Sequence, residues 1–579
     1  MKPIALSSVF CLLSFATLAA APWRNGERQP LWPEGKIPDF QSHQIGGMTD
    51  EWSTNETWRA AHRMPYIEWF AAPTNKVGAC MILVSGGSYQ NCCDVGLVGD
   101  WMREFTKRGY QTVNLVYRTP RPKGLAVHQS AWEDGQRAVR LVRSQAKARG
   151  FDPEKIGVIG MSAGGHLTCL LAANALTNAY EKVDALDDVP CHVNFAIANA
   201  PAYNTANGVA GGQTREDGLT VVPTISPCFN FDAKTCPMSL HHGGVDPWSP
   251  NGSTLFYREL RKRKIPAELH LYADKPHGAH GFERALEFLR QLNVDGKLAG
   301  WRELNHRSDP AATARTEKEA LWPAGKTPDV SPNHAYEPYL VWFLPEKPTT
   351  KAVQVILPGG GYYMCNFIDE GVPVATYLNK KGMAAVVVMY RTPRPEGRPK
   401  HLSAWQDAQR AIRMVRREAP ARGLDPDRIG VMGFSAGGHL TLMTATNAQT
   451  PAYEKVDETD DVSAAVQWAC PVYPAYSLTD GADEPNVTGG NDDSAVLVSE
   501  FSFDELTPPM CFQHGDADGW AAMNSVKCWE KLRAMGRQSD LHTLATRDHC
   551  FQFKASPETG SYTWLDRIWD FLSRKGLNK

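Results

Sequence analysis

Short apolar runs of four to seven residues alternate along this chain with longer stretches of helical spacing. Residues 81–84 and 112–117 read as strands, and their continuous apolar character fits strands covered on both faces. Residues 132–149 then place apolar side chains at helical intervals, with Gly150 as the stop signal. Further strands are expected at 193–197, 238–241 and 269–272, followed by a helix over 283–292. The same order begins again with strands at 353–357 and 384–390. Strands alternating with helices predict an α/β fold, a mostly parallel sheet with helices on both faces.

The second round is a copy of the first. Leu31-Trp32-Pro33-Glu34-Gly35-Lys36 returns as Leu321-Trp322-Pro323-Ala324-Gly325-Lys326. Tyr117-Arg118-Thr119-Pro120-Arg121-Pro122 returns as Tyr390-Arg391-Thr392-Pro393-Arg394-Pro395, 273 positions later. That period is far beyond any solenoid repeat and marks a duplicated domain. The reading is a leader at 1–21, domains at 22–305 and 316–579, and a linker at 306–315 around Arg307-Ser308-Asp309-Pro310. At 579 residues the chain is too long for one core in any case.

Candidate chemistry centres on Gly160-Met161-Ser162-Ala163-Gly164-Gly165-His166 and Gly433-Phe434-Ser435-Ala436-Gly437-Gly438-His439. Each follows an apolar strand and opens a helix, the layout of a nucleophile elbow, in which a sharp turn exposes the serine hydroxyl. One Gly-x-Ser-x-Gly is a weak signal; two in matching contexts carry more weight. A serine needs a base and a carboxylate to orient it, here in the order Ser, Asp, His. Asp246 and Asp518 occupy equivalent places, and Asp516, opposite Gly244, reads as a turn residue. His277 and His549 each lie 31 residues beyond their aspartate. His280 is the fallback base, weakened because its counterpart is Gln552. Gly359-Gly360-Gly361-Tyr362 follows a strand as an oxyanion loop would, with Gly86-Gly87-Ser88-Tyr89 as its counterpart. Because the first copy lacks the third glycine, the second is expected to be the more active on simple esters. The recurring pairs His128/His401, His166/His439, His242/His514 and His270/His542 read as structural or rim residues, and Cys92/Cys365 as packing.

Composition changes the picture little. The chain is 42% apolar and 21% charged with a net charge of −2, which gives no reason to expect nucleic acid or an anionic membrane as partner. The one basic cluster, 258–264, reads as a solvated helix face. Lys2, the apolar stretch over 4–20 and Ala19-Ala20-Ala21 fit a secretory signal, so a periplasmic or secreted protein is expected, off the membrane after cleavage. Cys11 would leave with the signal. The remaining 12 of 13 cysteines form no Cys-x-x-Cys pattern, and Cys228 with Cys236 is a pair to be tried as a disulfide.

Taken together, the Gly-rich loop, the Tyr-Arg-Thr-Pro strand end, Gly-x-Ser-Ala-Gly-Gly-His-Leu, His-Gly-x-x-Asp and the late histidine resemble a known family. Each copy is similar to the α/β-hydrolase esterases of the group that includes bifunctional feruloyl and acetylxylan esterases, and more loosely to hormone-sensitive-lipase-like enzymes. The resemblance implies two tandem α/β-hydrolase domains with nucleophiles Ser162 and Ser435, orienters Asp246 and Asp518, and bases His277 and His549. It implies oxyanion N–H groups from Ala163, Gly87 and Ser88, and from Ala436, Gly360 and Gly361. No metal and no cofactor is expected. The chain departs from many relatives in having Ser85 and Pro358, where they have histidine before the glycines. The implied substrates are acetyl or feruloyl esters on polysaccharide, against which Trp32 and Trp322 would either stack or serve as buried anchors. The alternatives are a general carboxylesterase or lipase for small acyl esters, and a carbohydrate-binding scaffold with dead sites.

Overall fold

The computed structural model describes residues 26–46, 65–70, 72, 77–92, 99–206, 224–294, 313–479, 495–545, 548–551 and 564–579. The expected leader lies outside them. The first copy contributes strands β1 (Glu27–Pro30), β2 (Ile45–Gly46), β3 (Tyr66–Phe70), β4 (Cys80–Val84) and β5 (Gln111–Val116). After these come β6 (Arg118–Thr119), β7 (Ile156–Met161), β8 (Phe195–Asn199), β9 (Met238–Gly243) and β10 (Ala267–Tyr272). Its helices are α1 (Gly99–Lys107), α2 (Gln129–Gln145), α3 (Ala163–Ala173), α4 (Asn251–Lys262) and α5 (Phe282–Gln291). The second copy supplies β11 (Thr313–Ala320), β12 (Tyr339–Pro345), β13 (Val353–Leu357) and β14 (Ala384–Met389). Then follow β15 (Ile429–Phe434), β16 (Trp468–Val472), β17 (Cys511–Gly515) and β18 (Asp540–Leu544). Its helices are α6 (Val372–Lys380), α7 (Leu402–Glu418), α8 (Ala436–Thr446), α9 (Met523–Ala534) and α10 (Trp564–Arg574).

The order in the sheet is β1-β3-β5-β4-β7-β8-β9-β10 for the first copy and, read from the far edge, β11-β12-β14-β13-β15-β16-β17-β18 for the second. From β5 to β10 and from β14 to β18 all pairs are parallel, and only the outer strands run antiparallel. This is the mostly parallel α/β-hydrolase sheet expected for each half. The continuous apolar runs have a direct cause. In β4, Cys80, Ile82 and Val84 pack with α2 to α4 on one face, while Met81 and Leu83 pack with α1 and α5 on the other. No position on such a strand meets water, so none needs to be polar. Among the described residues no helix is long and apolar enough to cross a membrane.

The halves are joined edge to edge. β10 and β18 pair antiparallel with His270 opposite His542, so the two sheets form one sheet of 16 strands. Equivalent residues meet each other here, as on a two-fold axis. His270 Nδ1 lies 3.2 Å from His542 Nδ1, and Arg258 pairs with its own counterpart, Glu530, at 2.5 Å. In a symmetric dimer that second contact would set arginine against arginine. Within one chain the two equivalent positions carry opposite charges instead. The core on the α2 to α4 face is continuous across this junction.

Several expectations are corrected by this arrangement. The basic cluster at 258–264 is a solvated face only in part: Lys262, Arg263 and Lys264 are exposed, but Arg258 and Arg261 are turned into the junction, and Arg261 donates to Asp516 at 2.9 Å. Asp516 is more than a turn residue, since it also accepts from Tyr257 Oη at 2.6 Å. Cys228 and Cys236 are separate thiols. The last part of the expected linker, from Thr313, is already β11. Trp32 and Trp322 are buried, each donating from Nε1 at 2.7 Å to Asp134 or Asp407, which leaves no face for a sugar ring. Those aspartates also hold Arg118 and Arg391, the first arginine of each Tyr-Arg-Thr-Pro motif.

Candidate active site

The sites assemble at the carboxyl ends of the parallel strands, where loops of an α/β sheet converge. Ser162 and Ser435 join strand to helix with φ of 58° and 53°, a left-handed conformation that costs a non-glycine residue about 1 kcal/mol or more. The surrounding glycines make that turn possible. A Cβ on Gly160 would lie 2.2 Å from the Gly164 carbonyl oxygen, and one on Gly164 would lie 2.2 Å from that of Val84. Gly433 and Gly437 are equally confined. No side chain fits between elbow, helix and neighbouring strand, so the motif is a packing requirement as well as a chemical one.

In the second copy Ser435 Oγ lies 2.7 Å from His549 Nε2, and His549 Nδ1 lies 2.8 Å from Asp518 Oδ2. In the first, His277 Nδ1 lies 2.8 Å from Asp246 Oδ2, but no hydrogen bond joins Ser162 to His277 among the described residues. His280 stands apart: its Nε2 meets the Pro276 carbonyl at 2.7 Å. Each aspartate is further held by a backbone N–H two residues on, from Trp248 or Trp520, at 2.8 Å. His242 and His514, read as structural, lie 3.3 Å from the same carboxylates. Burial would push Asp246 and Asp518 up, yet hydrogen bonds from His242 and His277, and from His514 and His549, hold both below the usual carboxylate range. Each therefore stays an anion against its imidazole, the state that orients a base and supports its protonated form.

The Gly-rich loops bring their N–H groups beside these serines. Gly87 and Gly360 share a φ of 128°, and Ser88, at 54°, adopts nearly the same left-handed turn as Gly361 at 64°. The serine thus takes on the glycine's backbone path, so the loop is not misdirected by the missing third glycine. Arg121 Nε donates to the Ser88 carbonyl at 2.9 Å, and Arg394 Nε to that of Gly361 at 3.1 Å. These are the second arginines of the two Tyr-Arg-Thr-Pro-Arg-Pro motifs, and their recurrence was the signal that could have assigned them. Ala163 and Ala436 begin α3 and α8, so their N–H groups point out of the helix N-terminus towards the same space.

One feature of the second copy alone was invisible in the motifs. Glu370 is buried beneath the loop, accepts from the Gly359 N–H, and takes the Tyr473 hydroxyl at 3.0 Å. The Tyr473 ring packs edge-on against the His549 imidazole, centroids 4.9 Å apart. At the equivalent positions of the sequence the first copy has Leu97 and Ala200. The other recurring histidines lie off the serine–histidine line. Burial pushes His128 and His401 down to about 4, leaving them neutral at ordinary pH.

The BD-FAE family model matches this sequence twice, over residues 70–260 and 341–532, well over half of the chain. The chain belongs to the BD-FAE family. Each BD-FAE match takes in the Gly-rich loop, the elbow serine and the aspartate, and ends before His277 or His549. The sequence is 30% identical over 224 residues to an acetylxylan esterase of Xylanibacter ruminicola, covering 37% of this chain and 44% of that protein. It is 32% identical over 142 residues to the esterase LipQ of Mycobacterium tuberculosis, covering 24% of this chain and 32% of that one. The chain thus spans less than half the length of these curated relatives. Among solved structures it resembles an acetyl ester-xyloside bifunctional hydrolase from Caldicellulosiruptor lactoaceticus, with 26% identity and a TM-score of 0.38, over 45% of this chain and 97% of that one.

Proposed function

We propose that this tandem BD-FAE protein hydrolyses carboxylic esters through an acyl-serine intermediate, using Ser435, His549 and Asp518 in the second copy and Ser162, His277 and Asp246 in the first. The observation that carries the reading is the unbroken chain of hydrogen bonds from Ser435 Oγ through His549 to Asp518. In the first step His549 Nε2 takes the serine proton as Oγ bonds to the ester carbonyl carbon. The oxygen that becomes negative is met by the N–H groups of Gly360, Gly361 and Ala436, or of Gly87, Ser88 and Ala163 in the first copy. Collapse breaks the bond to the alcohol oxygen, which leaves with the proton from the imidazole. Water then repeats the sequence on the acyl-serine and releases the acid.

The substrates we propose are acetyl or feruloyl esters of polysaccharides, with the protein periplasmic or secreted. Similarity to an acetylxylan esterase supports the first, and the leader-like residues 1–21 support the second. The rim of the second site also favours an aromatic acyl group, since Tyr363, Met364 and Ile368 are exposed beside its loop where the first copy has Gln90, Asn91 and Val95. Labelling with a fluorophosphonate followed by peptide mapping tests the chemistry. Modification is expected at Ser435 and at Ser162. Labelling of neither would leave only a carbohydrate-binding scaffold. A panel of acetylated, feruloylated and simple aryl esters tests the substrate class, and equal rates on all three would point to a general carboxylesterase.

A further inference from the structure

Two histidines recur in both copies, and the residue facing them differs. His128, His166 and Cys228 bring one donor atom each within 4.8 Å of one another, and so do His401, His439 and Glu500. Cys228 and Glu500 stand 272 residues apart, at equivalent places, so the same position carries a thiol in one copy and a carboxylate in the other. His166 Nε2 lies 3.6 Å from Cys228 Sγ, and His439 Nε2 lies 3.7 Å from Glu500 Oε1. With metal–ligand bonds of about 2.0–2.3 Å, the edges of a tetrahedral site are about 3.3–3.8 Å long. The histidine–carboxylate distance matches such an edge and is too long for a hydrogen bond.

A second observation points the same way. His439 is fully buried, yet among the described residues its Nε2 has no hydrogen-bond partner, and neither does the buried Nδ1 of His401. Buried polar atoms are rarely left so, because the lost hydration goes uncompensated. The opposite nitrogen is accounted for: His166 Nδ1 lies 2.8 Å from Tyr89 Oη, and His439 Nδ1 lies 2.8 Å from Tyr362 Oη. When Nδ1–H donates to the tyrosine oxygen, Nε2 keeps a lone pair aimed at the cluster, the usual outer-shell device for a ligating imidazole.

We propose that each copy binds a divalent transition-metal ion of the zinc class, held by His128, His166 and Cys228 in the first and by His401, His439 and Glu500 in the second. The ion ties the start of the helix after the Tyr-Arg-Thr-Pro motif to the elbow helix one turn behind the serine. It therefore braces the nucleophile without touching it. The thiolate makes the first site the softer, favouring cadmium and zinc, whereas the carboxylate makes the second more tolerant of cobalt and nickel.

The test uses the full chain, stripped with a chelator, dialysed against zinc and analysed for metal by mass spectrometry. Two equivalents are expected, falling to one in His166→Ala and to one in His439→Ala, with folding followed by circular dichroism. Cys228→Ser and Glu500→Gln preserve shape and should each weaken one site, which keeps the proposal testable if a histidine variant fails to fold. Cobalt substitution gives an independent readout. A thiolate-to-cobalt charge-transfer band should appear in the unaltered protein, persist in Glu500→Gln and vanish in Cys228→Ser. Less than one equivalent of metal, or a stoichiometry unchanged across all four variants, would overturn the proposal. One equivalent sensitive to only one cluster would overturn it for the other copy.

Discussion

The two copies share their strand order, elbow geometry and a histidine on a buried aspartate, yet among the described residues only the second closes the serine–histidine bond. Their difference lies outside the shared motifs. Glu370 ties the first N–H of the Gly-rich loop to Tyr473, and Tyr473 packs on His549; Leu97 and Ala200 can do neither. The comparison teaches that a motif delivers the reacting groups, whereas their alignment depends on neighbours that the motif does not contain.

The sharpest way to break this comparison is by serine substitution. Ser435→Ala should remove most hydrolysis of a small aryl ester and Ser162→Ala little, each measured as an initial rate. The reverse pattern would place the better-aligned site in the first copy. With Ser435→Ala as background, the residual rate belongs to the first copy and its base can be tested. There His277→Ala should lower the rate by about 10⁴-fold, while His280→Ala leaves most of it. A dead His280→Ala variant would mean that the 31-residue spacing misassigned the base.

Glu370→Gln keeps the side-chain shape but weakens the charge-assisted bond to the Gly359 N–H. We expect kcat of the second copy to fall by about tenfold to a hundredfold with KM nearly unchanged, the pattern of an interaction that acts through alignment of the oxyanion donors. A change confined to KM would make Glu370 a determinant of substrate binding instead.

The junction gives two further tests by denaturation. Arg258→Glu would set two carboxylates against each other at the self-paired position and lower stability by about 3 kcal/mol. Adding Glu530→Arg restores opposite charges in reversed order and should recover most of that loss, whereas additive losses would show that the pair is not coupled. The smallest effect concerns Glu268 on β10, which accepts from the Ala545 N–H across the junction. Burial pushes its carboxyl up to about 7. The folded protein then holds a proton that the unfolded chain releases near pH 4, so this contribution is complete below about pH 4 and is lost as pH rises towards 7. Glu268→Gln should flatten the fall of the unfolding midpoint across that window, and an unchanged slope would remove Glu268 as its source.

Much was determined by the sequence itself. The doubly buried strands were legible because a strand with helices on both faces cannot tolerate polar positions, and 353–357 coincides with β13. The meeting of His277 with Asp246 and of His549 with Asp518 was legible because duplication recorded the 31-residue spacing twice in one chain. The Gly-x-Ser-x-Gly motif was legible in both copies because close packing at Gly160, Gly164, Gly433 and Gly437 admits no other residue. What only the tertiary structure decided are the contacts between segments far apart in the chain. Tyr257 and Arg261 reach Asp516 across more than 250 residues, Glu370 reaches Tyr473 across 103, and Trp32 reaches Asp134 across 102. A charged helix face has the same composition whether water or a second sheet lies against it. Periodicity reports only that a face is polar, and the fold alone brings its partner.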